Sequence, residues 1–325
     1  MGIAYAIPYI PPPPPVSPWR GFELSWTGWD GSEWELTRPS SGLFLMPGVR
    51  GLGLPQFERQ SSTSPMVAGS RHRGSSTKDR DVFWPLYLYS DEGSTEFVEH
   101  NRAFLRSLDT DEEGTWTTQL PDGSTRTLRL RLTGAEDSLT HDPVRRGWIR
   151  YAFNLLADQP YWLGEPVRKS WSQGDMRNFF VTEEDRVTYG YADDVIYYLS
   201  PGGTLDSAVF TNDGDVPAYP IWTVIGETNS VNFGVGDRRV IVPFTIPAGY
   251  AVQLDTDPVN GQVLWYGQWN ASKKALVNPI DRTAELNPSS AFVAIPRGQD
   301  RALSFQMTGT GTIIAEVRSR YRSAF

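Results

Sequence analysis

Apolar and polar positions alternate with period two along most of this chain. Phe22, Leu24 and Trp26 alternate with Glu23 and Ser25, and Trp34 and Leu36 resume the pattern beyond Asp30-Gly31. Two such runs around an Asp-Gly dipeptide predict a β-hairpin. A second hairpin is predicted around Pro121-Asp122-Gly123, with Leu128, Leu130 and Leu132 on one face and Arg129 and Arg131 on the other. The run 81–90 reads as a strand whose Pro85 belongs at an edge or a bulge. Another strand runs from 147 and stops at Gln159-Pro160. One segment follows the helical period instead. From Ser94, a plausible N-cap, Phe97, Asn101, Phe104, Leu105 and Leu108 fall on one face, with Glu96, Glu99, Arg102 and Arg106 outward. The first 165 residues therefore predict an α+β unit, a mainly antiparallel sheet with one helix.

From residue 166 the helical signal disappears. Strand-like runs recur at 194–200, 205–211, 219–226, 238–246, 251–256, 262–268, 291–298, 302–309 and 312–321, with turns between them. Their spacing predicts a β-sandwich or jelly roll over 166–325. The polar turn Asn212-Asp213-Gly214-Asp215, followed by Pro217 and Pro220, reads as the entry corner of one of its strands.

Two stretches break the alternation. Residues 1–20 contain five consecutive prolines, Pro11 to Pro15, which lack backbone donors and favour polyproline II. They predict a stiff spacer or an arm lying on a surface. Residues 37–80 are rich in Gly, Ser, Pro and Arg and read as short strands and a long loop. The part from 68 to 80 is basic and polar, a mobile or interaction loop whose length calls for a reason.

Composition narrows the function classes. The chain has 325 residues, room for about two domains. A formal charge of −8 argues against a broad nucleic-acid footprint. With no cysteine, disulfides and thiol catalysis are excluded. The N-terminal stretch lacks the basic start of a signal peptide and breaks at Pro8, and no apolar run is long enough to span a membrane. No cofactor is expected.

The catalytic candidates are sparse. His72, His100 and His141 show no zinc-ligand spacing. Asp109, Asp111, Glu113 and Gly114 mimic the first half of a calcium loop, but Leu120 occupies the twelfth position, so a helix-to-strand connection is the simpler reading. Glu183, Glu184, Asp185, Asp193 and Asp194 would suit a glycoside hydrolase only if they faced one another across a cleft. Trp265, Tyr266 and Trp269 offer flat rings for stacking on sugars, with Gln268 and Asn270 as polar neighbours. Arg318, Arg320 and Arg322 form a charged ladder on the last strand; with Arg71, Arg73 and Arg80 they are candidates for contacts between subunits.

Several phrases, in this order and spacing, resemble the distal tail protein family of long-tailed siphophages. They are "LSWTGWDGSEWEL" near the start, "AFLRSLDTDEEGTWTTQLPDGSTRTLRLRLTGAED" in the middle, "FNLLADQPYWLG" at 153–164 and "FTNDGDVPAYPIWTVIGE" at 210–227. The resemblance implies that residues 1–165 form a ring, usually a homohexamer, at the virion tail tip. The ring would link the tail tube protein to the hub or tail-associated protein, near the tape measure protein. It implies a galectin-like or carbohydrate-binding-module-like sandwich over 166–325, projecting outward, with host cell-wall glycan as a partner to test. The proline arm and the 60–80 loop depart from the shortest members.

Overall fold

The computed structural model describes residues 21–137, 141–172 and 208–325. The proline arm, the predicted strand at 194–200 and the acidic residues Glu183, Glu184, Asp185, Asp193 and Asp194 lie outside the described residues.

The first half carries β1 (Glu23–Thr27), β2 (Glu33–Glu35), β3 (Leu43–Leu45), β4 (Phe57–Ser64), β5 (Val67–Thr77), β6 (Arg80–Tyr89), α1 (Ser94–Arg106), β7 (Gly114–Gln119), β8 (Thr125–Asp137), α2 (Pro143–Arg146), β9 (Trp148–Ala157) and β10 (Trp162–Ser172). The second carries β11 (Val209–Thr211), β12 (Ile221–Ile225), β13 (Thr228–Val235), β14 (Arg238–Val242), β15 (Tyr250–Asp255), β16 (Leu264–Asn270), β17 (Ala275–Asp281), β18 (Asp300–Gly309) and β19 (Thr312–Tyr321). The molecule is mainly β, and all strand ladders among the described residues are antiparallel.

The predicted hairpins form. β1 pairs with β2 around a turn in which Gly31 adopts φ +80°, and β7 pairs with β8 around Pro121-Asp122-Gly123. Long β8 serves two sheets, its first half pairing β7 and its second half β9. Inward residues of these strands, with α1 laid over them, build one apolar core. Its centre is a run of buried indoles, Trp26, Trp84, Trp116 and Trp162, with neighbouring ring centroids 5.1–5.3 Å apart. Helix α1 supplies Phe97 and Phe104 to this core, but Leu105, expected on the same face, is exposed. Gly93, not Ser94, precedes the first turn; the Ser94 hydroxyl donates to the Val144 carbonyl instead.

Pro85 sits within β6, which pairs β9 along its whole length. Its carbonyl accepts from Met46 N on the β3 side, so the missing donor also points there, where that ladder is interrupted beyond Leu45.

The second core lies between two sheets. One is β17-β16-β15-β12-β19 continuing into β10; the other is β11-β18-β13-β14. Trp222, Val224, Leu254 and Ile313 face Phe210, Val231, Phe233 and Val242 across it. Residues 291–298, read as a strand, form only the single bridge Ala218↔Ile295. Conversely, β10, β13 and β17 are strands that the sequence pattern does not predict.

Strands β10 and β19 pass through both cores. They pair from Trp162↔Tyr321 to Ser172↔Thr312, with a bulge between Leu163 and Pro166. Trp162 belongs to the first core and Trp171 to the second, and the bulge lies between them. Past β19 the chain returns to the first core, burying Ala324, whose N–H donates to Leu52 O.

Arg80 secures that return, which corrects its assignment as a surface contact. Its side chain sits among four carbonyls, Pro160, Gly51, Gly53 and Arg322, at 2.6–2.7 Å. Only 2% of the residue is exposed. Burial lowers its pKa to about 10, so the guanidinium is charged at neutral pH. The turn at 212–215 does comparable work. Buried Asn212 donates from its amide nitrogen to Val216 O and Ile295 O and accepts from Gly214 N. A Cβ on Gly214 would stand 2.7 Å from the Arg320 backbone, so the turn needs glycine to lie against β19.

Two stability predictions follow from these buried polar groups. Arg80→Met should leave its carbonyls without donors and destabilise the fold by about 3–5 kcal/mol, read as a large fall in Tm. Arg80→Lys should recover only part of the loss, because one ammonium cannot reproduce the planar fork. Asn212→Asp should cost about 2–3 kcal/mol by placing oxygen against two carbonyls, while Asp213→Asn at the exposed turn position stays within ~0.5 kcal/mol; denaturant unfolding checks both.

Candidate functional surfaces

The residues at 57–77 are not a loop. They form β4 and β5, a two-stranded ribbon whose side chains are exposed nearly throughout and which pairs with no other strand among the described residues. Arg71, His72 and Arg73 project from it into solvent, and Arg73 donates to the Ser62 hydroxyl at 2.9 Å. Between Phe57 and Thr77 the ribbon carries Arg59, Arg71 and Arg73 against Glu58 alone, a local positive excess on a chain of charge −8. Its base is fixed where the Thr77 and Tyr161 hydroxyls meet at 2.7 Å. Sequence reasoning missed the ribbon because Ser, Thr and Gly on both faces give no apolar alternation.

The β19 arginines separate. Arg320 lies over the rings of Tyr161 at 4.8 Å and Tyr219 at 5.3 Å, with Asp257 4.0 Å away. It lines a cleft of about 300 Å³ between the two halves. Exposed Arg318 borders the same cleft and approaches Glu316 at 3.9 Å. Arg322 is half-buried; its backbone N–H donates to Asp215 and its carbonyl accepts from Arg80. Of the six arginines proposed for subunit contacts, Arg71, Arg73 and Arg318 are thus exposed side chains, whereas Arg80, Arg320 and Arg322 work within the chain.

The aromatic stretch on β16 is divided by strand alternation. Trp265 and Trp269 share the outward face, with Trp265 41% exposed. Tyr266 and Gln268 point to the opposite side. Tyr266 stacks on Tyr250 at 5.4 Å, beside Phe244 and under the Arg282 guanidinium, and Gln268 reaches the Tyr250 hydroxyl at 3.4 Å. Asn270 accepts from Lys273 N and shapes the following turn. The five residues therefore do not converge on one site.

The histidines lie on three separate elements. His72 is on the ribbon; His141 stacks on Trp148 at 3.9 Å; His100 on α1 packs against Trp34, where burial lowers its pKa. The calcium-like stretch is a turn and an ion-pair site. Asp109 accepts from Asp111 N and Glu112 N, which lowers its pKa, and Glu113 pairs with Arg129 and Arg131. Among the described residues no group of three or more potential metal ligands occurs. The described helices include none long and apolar enough to cross a membrane.

No family model matches the sequence, and no curated protein matches it. Solved structures do. The SPP1 Dit (gp 19.1) protein, described as a paradigm of hub adsorption apparatus in phages infecting Gram-positive bacteria, superposes with a TM-score of 0.59 at 14% identity, over 92% of this chain and 99% of that one. A chain of the phage P2 baseplate in its activated conformation with Ca gives 0.55 at 12% identity, over 92% and 98%. The same baseplate with Sr gives 0.54 at 12%, over 91% and 98%. Along nearly its whole length, this chain has the fold of phage Dit hub and baseplate proteins.

Proposed function

We propose that this chain is a distal tail protein of a long-tailed phage, a structural component of the virion tail tip and not an enzyme. The observation that carries the proposal is the whole-chain likeness to the SPP1 hub protein, which spans both cores and nearly all of that chain. In this reading residues 1–165 and 166–325 are two domains. The first assembles as a homohexameric ring between the tail tube protein and the hub or tail-associated protein, near the tape measure protein. The second projects from the ring as a galectin-like sandwich.

The exposed ribbon supports the ring. A two-stranded ribbon is marginally stable alone in water. This one adds no residue to either core, yet it carries a positive excess on an acidic protein. Docked on a neighbouring copy, it would bury backbone edges and pair unlike charges, and repetition around an axis closes a ring. Replacing residues 60–75 by a short Asp-Gly turn should leave Tm nearly unchanged and abolish assembly. Mass photometry and electron microscopy of the parent protein, with and without tube protein, should show rings near six times the 36.4 kDa protomer. A strict monomer under both conditions overturns the ring reading.

A second role, adhesion to host cell-wall glycan, is favoured by Trp265, exposed on the outward sheet face it shares with Trp269. On a glycan array, Trp265→Ala and Trp269→Ala should each weaken any binding by about tenfold. Binding unchanged in both variants dismisses this face.

A further inference from the structure

We infer that the outward face of the β3-β6-β9 sheet is the docking site for the chain's own proline-rich arm, residues 8–18, bound in cis. The face is set by alternation. Val82, Trp84, Leu86 and Leu88 of β6 point into the core, so Phe83, Pro85, Tyr87 and Tyr89 point outward. Neighbouring strands add Phe44 opposite Tyr87 and Trp148 opposite Tyr89. Tyr87 contacts Phe44 at 5.3 Å, Tyr89 at 6.0 Å and Trp148 at 5.5 Å, the last nearly parallel. Arg150 lies 5.5–5.9 Å from the Trp148 and Tyr87 rings. The half-exposed rings form a row edged by cations, with Arg50 4.8 Å from the Phe83 ring, and His141 lies 3.9 Å from that of Trp148. The row has the chemistry that binds polyproline II: flat aromatic faces with the Tyr87 hydroxyl and the Trp148 N–H as donors, the Tyr89 hydroxyl being held by Pro39 O, against a ligand rich in ring CH groups and unpaired carbonyls.

The occupant is in the same chain. Residues 1–19 carry no charged side chain, and Pro11 to Pro15 fix φ and remove five donors, leaving their carbonyls to find partners. The first described residues lie within the arm's reach of the row. Glu23, two residues after the first described residue, pairs with Arg38 at 2.7 Å, and the next carbonyl, Pro39, accepts from Tyr89 at 2.6 Å. Phe22 in turn stacks on Phe325 at 5.8 Å, and Ala324 beside it donates to Leu52 O, close to the Arg50↔Phe83 bridge; the contacts of the first described residues thus reach towards both ends of the row. From Phe83 to Tyr89 the row measures about 20 Å at ~3.3 Å per residue. Residues 8–18 span roughly 30 Å as polyproline II, enough to cover it. Tethering within one chain gives an effective concentration on the order of millimolar, so a weak contact in trans becomes an occupied one in cis.

Hydroxyl-radical footprinting of Tyr87, Tyr89 and Trp148 tests this on the isolated protein and does not depend on tail assembly. Deleting residues 2–20 should raise labelling of all three several-fold, and a synthetic peptide of residues 4–18 at millimolar concentration should restore protection. Full-length protein with Pro11 to Pro15 each changed to Ser should label like the deletion; its core is untouched, so misfolding cannot mimic the result. Protection in the full chain should not change on dilution. Equal labelling with and without the arm overturns the proposal, and so does protection that disappears on dilution, which would assign the face to a second copy.

Discussion

The antiparallel ladder between β10 and β19 is the constraint on which the rest of the structure depends. Both strands cross from one core to the other, so their shared register fixes how the two halves meet. Each strand alternates inward residues into whichever core it is crossing: Trp162 into the first, then Trp171, Ile313, Ala315 and Val317 into the second. The bulge at Leu163/Pro166 accommodates the change of layer, and a proline lacking a ladder donor is tolerated at that point. Beyond β19 the strand partners end, and the carbonyls of Arg322 and Ser323 are taken by the guanidinium groups of Arg80 and Arg126. Buried carbonyls without donors would be costly, so two arginines far upstream in sequence complete what the ladder begins.

Edges are the second constraint on a protein built of strands. Edge strand β2 has three residues, two of them glutamates. Edge strand β17 carries Pro279 and follows Lys273 and Lys274, features that discourage pairing with another chain. The β4-β5 ribbon is longer than either, with charges at Glu58, Arg59, Arg71 and Arg73 and two register shifts. Among the described residues its two edges pair with no further strand, leaving backbone donors and acceptors for another molecule.

Much of the fold was legible in the sequence because alternation and turn chemistry are local. Trp26, Leu128 and Trp222 sit on the faces that period two assigns them, and the Asp-Gly, Pro-Asp-Gly and Asn-Asp-Gly turns fall where their residue types require. The failures have physical reasons. Ser and Thr satisfy an exposed ribbon as well as they satisfy a loop, so β4 and β5 gave no signal. Residues 291–298 have a strand's composition but meet only one bridging partner, which no local pattern reveals. Arg80 reads as one of several arginines in a basic stretch; its burial depends on carbonyls supplied from residues 51, 53, 160 and 322. Residues 265–270 read as one aromatic site because adjacency in sequence conceals that neighbours on a strand face opposite ways.

The surfaces of interest share a property that explains why they escape motif searches. Catalytic sites concentrate reactive groups at conserved spacings, whereas a docking surface needs only shape, flat rings and edges placed by distant segments. The aromatic row is assembled from β3, β6 and β9, over a hundred residues of chain, and each ring alone reads as ordinary strand composition. The arm that matches it is legible in sequence as five prolines but lacks any indication of where it binds. Only the antiparallel register brings Phe44, Tyr87 and Trp148 side by side. On a surface of this kind, a role becomes visible only when register turns scattered side chains into one face.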